Sequence, residues 1–356
     1  MEPDLRTPDP TPRQLGYRMP VESARHAATW TTWPTGVDLW EGRLDAVRDD
    51  VAALVTQIAR FEPVVINVGD DAGQADAERR LAALGVPEGS VRFHRLASND
   101  VWLRDVGPLF VVGPGGRLAA TDWRFDGWGG KHAAELDDGA PAVIADTLGV
   151  QRFAFDVVLE GGAIEMGADG TVLTTRSCLL DGVRNPGLDE AGYHDLLREG
   201  LGATRLVWLH GGLVDDHTDG HIDTVVRFAG EDAVICTVAD HDDAENVATL
   251  SANRSALQAL RRADGSPYRI FDLPLPKDRS RVAGVRPPRS YANFCLVNGG
   301  VIVPTWHDPR DAQALTVLRS AFPDREVVGV AATELVRGGG AFHCVTQHQP
   351  QGGTPS

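Results

Sequence analysis

Leu44, Val47, Val51, Leu54 and Ile58 recur at steps of 3, 4, 3 and 4 residues, one face of an α-helix, and predict a helix over Leu44–Ile58. The apolar run Val64–Val68 follows and stops at Gly69, which reads as a buried strand. A second helix is expected near Asp76–Leu84, ended by Gly85 with Pro87 behind it. Further helical patterns cover about Glu190–Leu201, Ala244–Arg261 and Asp311–Phe322. Short apolar strands lie between them, so the fold class is α/β. No long Gly/Ser or Pro linker interrupts the pattern. The chain therefore reads as a polar, proline-rich arm over residues 1–18, one domain over 19–350 and a short tail over 351–356.

Four segments share one form, in which a polar residue opens a strand and a Gly-containing turn leads to a second apolar strand. They are Trp102–Asp105 with Phe110–Val112, Glu160–Ile164 with Thr171–Leu173, His221–Val225 with Ala233–Ile235, and Tyr291–Phe294 with Val301–Val303. Counting from Asp105 through Glu160, Asp223 and Asn293 to Cys344 gives steps of 55, 63, 70 and 51 residues. Five units that each bring one polar residue to a strand point to radial repetition about a central site. The plainer alternative is an ordinary α/β sheet decorated with hairpins.

The formal net charge of −16 repels nucleic acid and anionic membranes and attracts small cations, although such acidity also serves solubility alone. No apolar run approaches the roughly 20 residues a bilayer span needs. The first residues lack the apolar core of a signal peptide, so a cytoplasmic protein is expected. The four cysteines, Cys178, Cys236, Cys295 and Cys344, form no CxxC pair and are expected to be free thiols. Cys236 and Cys295 lie in apolar runs and read as core, as does Cys178. The oligomeric state, a homo-oligomer included, is left open.

Cys344 has different surroundings. It follows Gly338-Gly339-Gly340, and three consecutive glycines carry an entropic cost that makes sense where backbone passes close to a ligand. Cys344 is thus a candidate nucleophile, with a buried core thiol as the alternative. Asp215–Asp223 is the densest ionisable stretch. Its His217-x-x-x-His221 spacing would serve a metal on a helix, but Gly220 and the β-branched run after it predict a turn entering a strand. On a strand, His221 and Asp223 share one face, which suits an acid/base group beside a cation-binding carboxylate. Trp102 near Asp100 and Asp105 suits a flat cation, and Glu160 before Gly161-Gly162 adds another carboxylate. A solvated acidic loop and a structural Arg104–Asp pair are the bland readings of these stretches.

A cysteine, a histidine, a glutamate and two aspartates fit one reaction well. A guanidinium is planar and cationic, so two carboxylates clamp its nitrogens. Its carbon is a poor electrophile that calls for a thiolate, while a histidine and a glutamate move protons. The neighbouring carboxylates raise the thiol pKa, so binding of the cation is expected to activate its own nucleophile.

Several ordered motifs carry a resemblance. They are Met19-Pro20 with Trp30 and Trp33-Pro34, NDVWLRDVGP at 99–108, WGGK at 128–131 and LEGGAIE at 159–165. TDGHID at 218–223, SYANF at 290–294 and GGGAFHCVTQ at 338–347 complete them. The chain resembles the agmatine deiminase family, grouped with the Porphyromonas-type peptidylarginine deiminases, over about Met19–Pro350. The resemblance implies a five-bladed pentein α/β propeller of ββαβ units with pseudo-fivefold symmetry. It implies Cys344 as nucleophile, His221 and Glu160 as the proton-transfer pair, and Asp105 and Asp223 as guanidinium clamps. Trp102, His217, Gly339 and Gly340 would line the substrate pocket. The implied reaction converts agmatine and water to N-carbamoylputrescine and ammonia through a covalent thiouronium intermediate, with no metal or organic cofactor. The implied partner is a small cationic guanidino substrate, not nucleic acid or a membrane. His217 stands where the family often has a glutamate, and Ser23-Ala24 and Cys295 also depart from it. Another guanidino substrate and an amidinotransferase are the alternatives within this chemistry. A metal hydrolase and a non-catalytic binding propeller are those outside it.

Overall fold

The computed structural model describes residues 7–352. Its strands form five sheets, one of four strands and four of three. Leu109–Val112 runs antiparallel to Leu118–Arg124, which lies parallel to Gln151–Val158. Glu165–Met166, Thr171–Thr175 and Arg205–Leu209 repeat that order, as do Val226–Phe228, Ala233–Val238 and Arg269–Pro274. Cys295–Val297, Gly300–Thr305 and Glu326–Ala331 make the fourth such sheet. The remaining sheet joins the two ends of the chain. Thr346–Pro350 pairs antiparallel with His26–Thr32, which continues parallel to Val64–Val68 and then Val91–Arg95.

Each parallel step needs a crossover, and a helix supplies it in every sheet. Leu44–Ile58 and Asp71–Ala83 serve the joined sheet, and Ala140–Leu148, Glu190–Leu201, Val247–Ala259 and Asp311–Ala321 serve the others. Leu44–Ile58 and Glu190–Leu201 match the expected bounds. The helix expected at Asp76 starts earlier because Asp70 caps it, accepting from the Gly73 backbone NH at 2.7 Å. Central strands such as Val64–Val68 are buried along their whole length, covered on both faces. The core continues from sheet to sheet. One cluster combines Val65 and Ile66 with Phe110 and Ala120 of the next sheet and with Cys295 and Ile302 of another.

Two expectations need correction. Asp105, Glu160 and Asp223 do not open strands. They sit at or within short helical turns, Leu103–Val106, Gly161–Ala163 and Ile222–Thr224, just ahead of the first strand of their sheets. His221 and Asp223 therefore do not share a strand face. A strand sends alternate residues to opposite faces, whereas a tight turn gathers side chains and backbone NH groups at one spot. The segment Thr11–Arg18, expected as part of a loose arm, is packed on the body. Thr11 donates to Glu199 at 2.9 Å, Tyr17 lies edge-on to Phe153, and Arg18 bridges to Val112. Residues 1–6 of that arm and 353–356 of the tail lie outside the described residues. No helix among the described residues is long and apolar enough to cross a membrane.

Candidate active site

The five sheets deliver their polar residues to one place. Buried neighbours anchor each turn, Leu103 beside Asp105 and Ile222 beside Asp223, both without exposed surface. Gly162 marks the point of convergence. A β-carbon there would lie 2.5 Å from His221 Nδ1, 2.8 Å from Asp105 Oδ1 and 3.2 Å from Asp223 Oδ2. Only glycine permits that approach, and its backbone NH donates to Asp105 Oδ1 at 2.9 Å. The second Asp105 oxygen accepts from Trp128 Nε1 at 3.0 Å. His221 Nδ1 stands 3.6 Å from Asp105 Oδ1.

Cys344 arrives from the other side. Its Sγ lies 3.6 Å from Asp223 Oδ2 and accepts from Asn293 Nδ2 at 3.1 Å. Asn293 Oδ1 accepts from the backbone NH groups of Ala341 and Cys344, so this side chain sets the loop that carries the thiol. Gly340 packs directly on it, since a β-carbon there would meet Sγ at 2.9 Å and Trp102 at 2.7 Å.

Burial and the carboxylates of Asp223 and Asp105 raise the Cys344 thiol well above its ordinary pKa. Burial also raises Glu160, opposed by Arg184 and His221. Burial pulls His221 down, but Asp105, Glu160, Asp223 and Asp216 outweigh it and the net shift is upward. Burial would raise Asp223, yet its bond from His343, with His221 and Arg227, brings it down. Both ring nitrogens of His221, Glu160 Oε2 and Asp223 Oδ1 are buried without a hydrogen-bond partner. Such atoms are costly unless a polar ligand meets them. A planar cation with several NH donors supplies what the carboxylate oxygens lack.

A cavity of about 260 Å³ leads toward this centre, lined among others by Trp40, His132, His217, Val285, Arg337 and Gly339. It ends at Gly338–Gly339, just short of Gly340 and the thiol. His217 sits edge-on to Trp128 at 4.9 Å, and burial lowers its pKa to about 4, leaving the ring neutral. Trp102 is buried, and its indole NH goes to Asp100 at 2.9 Å. Its edge faces Gly338 and Gly340.

One group of three metal-type ligands emerges among the described residues. Donor atoms of Glu160, Cys178 and His221 lie within 4.8 Å of one another, and His217 is not in the group. All four cysteines are free and buried.

The structure thus brings Cys344, His221, Glu160, Asp105 and Asp223 together and places His217 and Gly339 on the approach, while Trp102 and Gly340 lie beyond the end of the cavity, packed against each other beside the thiol. Sequence reasoning missed four contributors. Asn293 stood in the repeat as its fourth polar residue, and that was a usable signal. Trp128 lay in a quoted motif without a role. His343, which holds Asp223, likewise lay in a quoted motif without a role, and Arg184, which holds Glu160, gave no signal of its own.

The family model for the Porphyromonas-type peptidyl-arginine deiminases matches residues 18–350. An agmatine deiminase of Stutzerimonas stutzeri is 36% identical, covering 96% of this chain and 97% of the relative. One of Pseudomonas aeruginosa is 35% identical over 97% and 99%. The solved structure of an Enterococcus faecalis agmatine deiminase superposes with a TM-score of 0.88 at 30% identity, covering 96% of this chain and 98% of the other. With its five sheets, its buried cysteine among carboxylates and these similarities, the chain belongs to the Porphyromonas-type peptidyl-arginine deiminase family.

Proposed function

We propose that this enzyme hydrolyses agmatine to N-carbamoylputrescine and ammonia in the cytoplasm, with Cys344 as nucleophile. The observation that carries the chemistry is Cys344 Sγ beside Asp223, with unpartnered oxygens of Asp223 and Glu160 buried at the same centre. The relatives' printed activity supports agmatine as the substrate, and four free buried thiols fit a reducing compartment. In this reading the five like-ordered sheets are the blades of a pentein propeller with pseudo-fivefold symmetry around the site.

Asp105 and Asp223 clamp the guanidinium, and its charge offsets theirs at the thiol. The Cys344 proton passes to His221, and sulfur attacks the guanidinium carbon. His221 passes a proton to one nitrogen, the C–N bond breaks and ammonia departs, leaving a thiouronium on Cys344. Glu160 and His221 then take a proton from water as its oxygen attacks the same carbon. The C–S bond breaks, the carbamoyl product leaves and the thiol is restored. The substrate's alkyl chain extends past Trp102 and Gly340 toward His217.

A second reading keeps the chemistry and changes the substrate. His217 on the approach is neutral, so it offers a distal ammonium no charge, which favours a guanidine without a terminal amine. Ammonia release from agmatine, arginine, methylated arginines and simple guanidines distinguishes the two, with Cys344→Ser as control. Release from agmatine that is lost in the variant is expected. Turnover of another guanidine alone would select the second reading, and silence on all of them would reject hydrolysis.

A further inference from the structure

Behind Asp223 lies a buried chain of alternating charge that the reaction as written does not use. His343 Nδ1 is 2.7 Å from Asp223 Oδ2, and its Nε2 is 2.9 Å from Glu22 Oε2. Glu22 Oε2 also accepts from Arg227 Nη2 at 2.7 Å, and Arg227 Nε donates to Glu165 Oε2 at 3.0 Å. Arg227 Nη1 donates to the carbonyls of Ala292 and Phe294, and Glu165 Oε1 accepts the Phe228 NH. The chain reads carboxylate, imidazole, carboxylate, guanidinium, carboxylate. Asp223, His343 and Arg227 are at most 1% exposed.

The hydrogen-bond inventory is specific. Both His343 nitrogens face carboxylate oxygens, so the ring donates to both only with a proton on each. Asp223 Oδ2 is the oxygen that His343 occupies, and Oδ1 is the one left buried and unpartnered. A bond from an imidazole that is itself held at its far nitrogen fixes the plane of the carboxylate. Binding sites gain from such support because it orients the contacting group before the ligand arrives.

Resting on the guanidine-clamp reading of Asp223, we infer that His343 and Glu22 are positioning residues. They hold Asp223 by Oδ2, the oxygen beside Cys344 Sγ, and leave Oδ1 buried with its hydrogen-bonding capacity free for the substrate. Glu22 comes from the N-terminal segment that passes behind the site, and Arg227 in turn sets Glu22. Neither His343 nor Glu22 touches the reacting atoms in this arrangement. Their loss is felt in guanidine binding before chemistry.

The test uses the full chain in a Cys344→Ser background, which removes turnover, and methylguanidine as the probe, since any guanidine clamp engages that head group. Binding is titrated by ligand-observed NMR in the parent, His343→Ala, His343→Gln, Glu22→Gln, Asp223→Asn and the His343→Ala/Asp223→Asn pair. We expect roughly tenfold weaker binding in His343→Ala, partial recovery in His343→Gln, and a smaller loss in Glu22→Gln. Adding His343→Ala to Asp223→Asn should cost little more, because the two act as one unit. Unchanged binding in His343→Ala, or full additivity of the pair, overturns the inference. Absence of methylguanidine binding in the parent overturns both the inference and the clamp reading. Ammonia release by the enzyme with Cys344 intact separately decides whether agmatine is the substrate.

Discussion

Arg184 Nε lies 2.7 Å from Glu160 Oε1, and neither side chain has exposed surface. The same guanidinium reaches Asp181 at 2.6 Å, Asp219 at 2.8 Å and the Thr218 carbonyl at 2.9 Å. Glu160 is thus held by one oxygen while the other is buried without a hydrogen-bond partner.

Replacing Arg184 by Met leaves that carboxylate buried without its partner. We expect a loss of about 3–5 kcal/mol in stability, read from urea denaturation, together with lower kcat. A loss under about 1 kcal/mol, the scale of an exposed pair, would mean that water reaches Glu160 freely.

The resting thiol of Cys344 is protonated, since burial and then the flanking carboxylates push its pKa up. A bound guanidinium is expected to lower it, since its positive charge offsets the flanking carboxylates. At fixed neutral pH, an ultraviolet thiolate band should appear on adding methylguanidine to the enzyme and be absent in Cys344→Ser. The same variant should lose on the order of 10³-fold or more in kcat with its fold intact. An equally strong band without ligand would place activation in the protein rather than in the substrate.

His217→Glu puts a carboxylate where a neutral ring now lines the approach. Preference should move toward guanidines with a distal ammonium, by about tenfold in kcat/KM relative to methylguanidine. The ratio of the two kcat/KM values checks this. An unchanged ratio would place the distal amine elsewhere in the cavity, near Glu41 for example.

Asp137 is buried, and burial lifts its pKa from 3.8 to about 7 although it accepts the Asn99 backbone NH. A raised carboxyl favours folding when protonated. Its contribution is complete below pH 3.8 and is lost as pH rises through about 7. Asp137→Asn keeps the shape without the charge. The variant should therefore gain on wild type between these limits, by on the order of 4 kcal/mol, and then level off. Urea midpoints across that range test the sign, and parallel curves would rule it out.

What the sequence revealed and what it hid follow from range. Leu44–Ile58 was legible because its face repeats at helical spacing and needs only its own residues. Asp105, Glu160, Asp223 and Cys344 were legible because each lies within four residues of a glycine, in a short stretch of mixed polar and apolar residues. Their local form was not, since a turn and a strand start look alike over three or four residues. Glu22 and His343 were hidden because 321 positions separate them. Nothing near Glu22 marks it as the partner of a ring at the far end of the chain. Arg184 looked like any surface arginine until the fold enclosed it.

The pairing of Thr346–Pro350 with His26–Thr32 has a kinetic side. Cys344 precedes the strand that fastens the last part of the chain to the first, so the nucleophile arrives with the clasp. Contacts this distant in sequence form late in folding. A partly folded or interrupted chain would therefore have Asp105, Glu160, His221 and Asp223 at three of its sheets and no Cys344 sulfur among them. Chemical competence then reports the pairing of the chain's last strand with its first, and thiol reactivity toward a guanidine-directed alkylator would serve as a clock for that pairing.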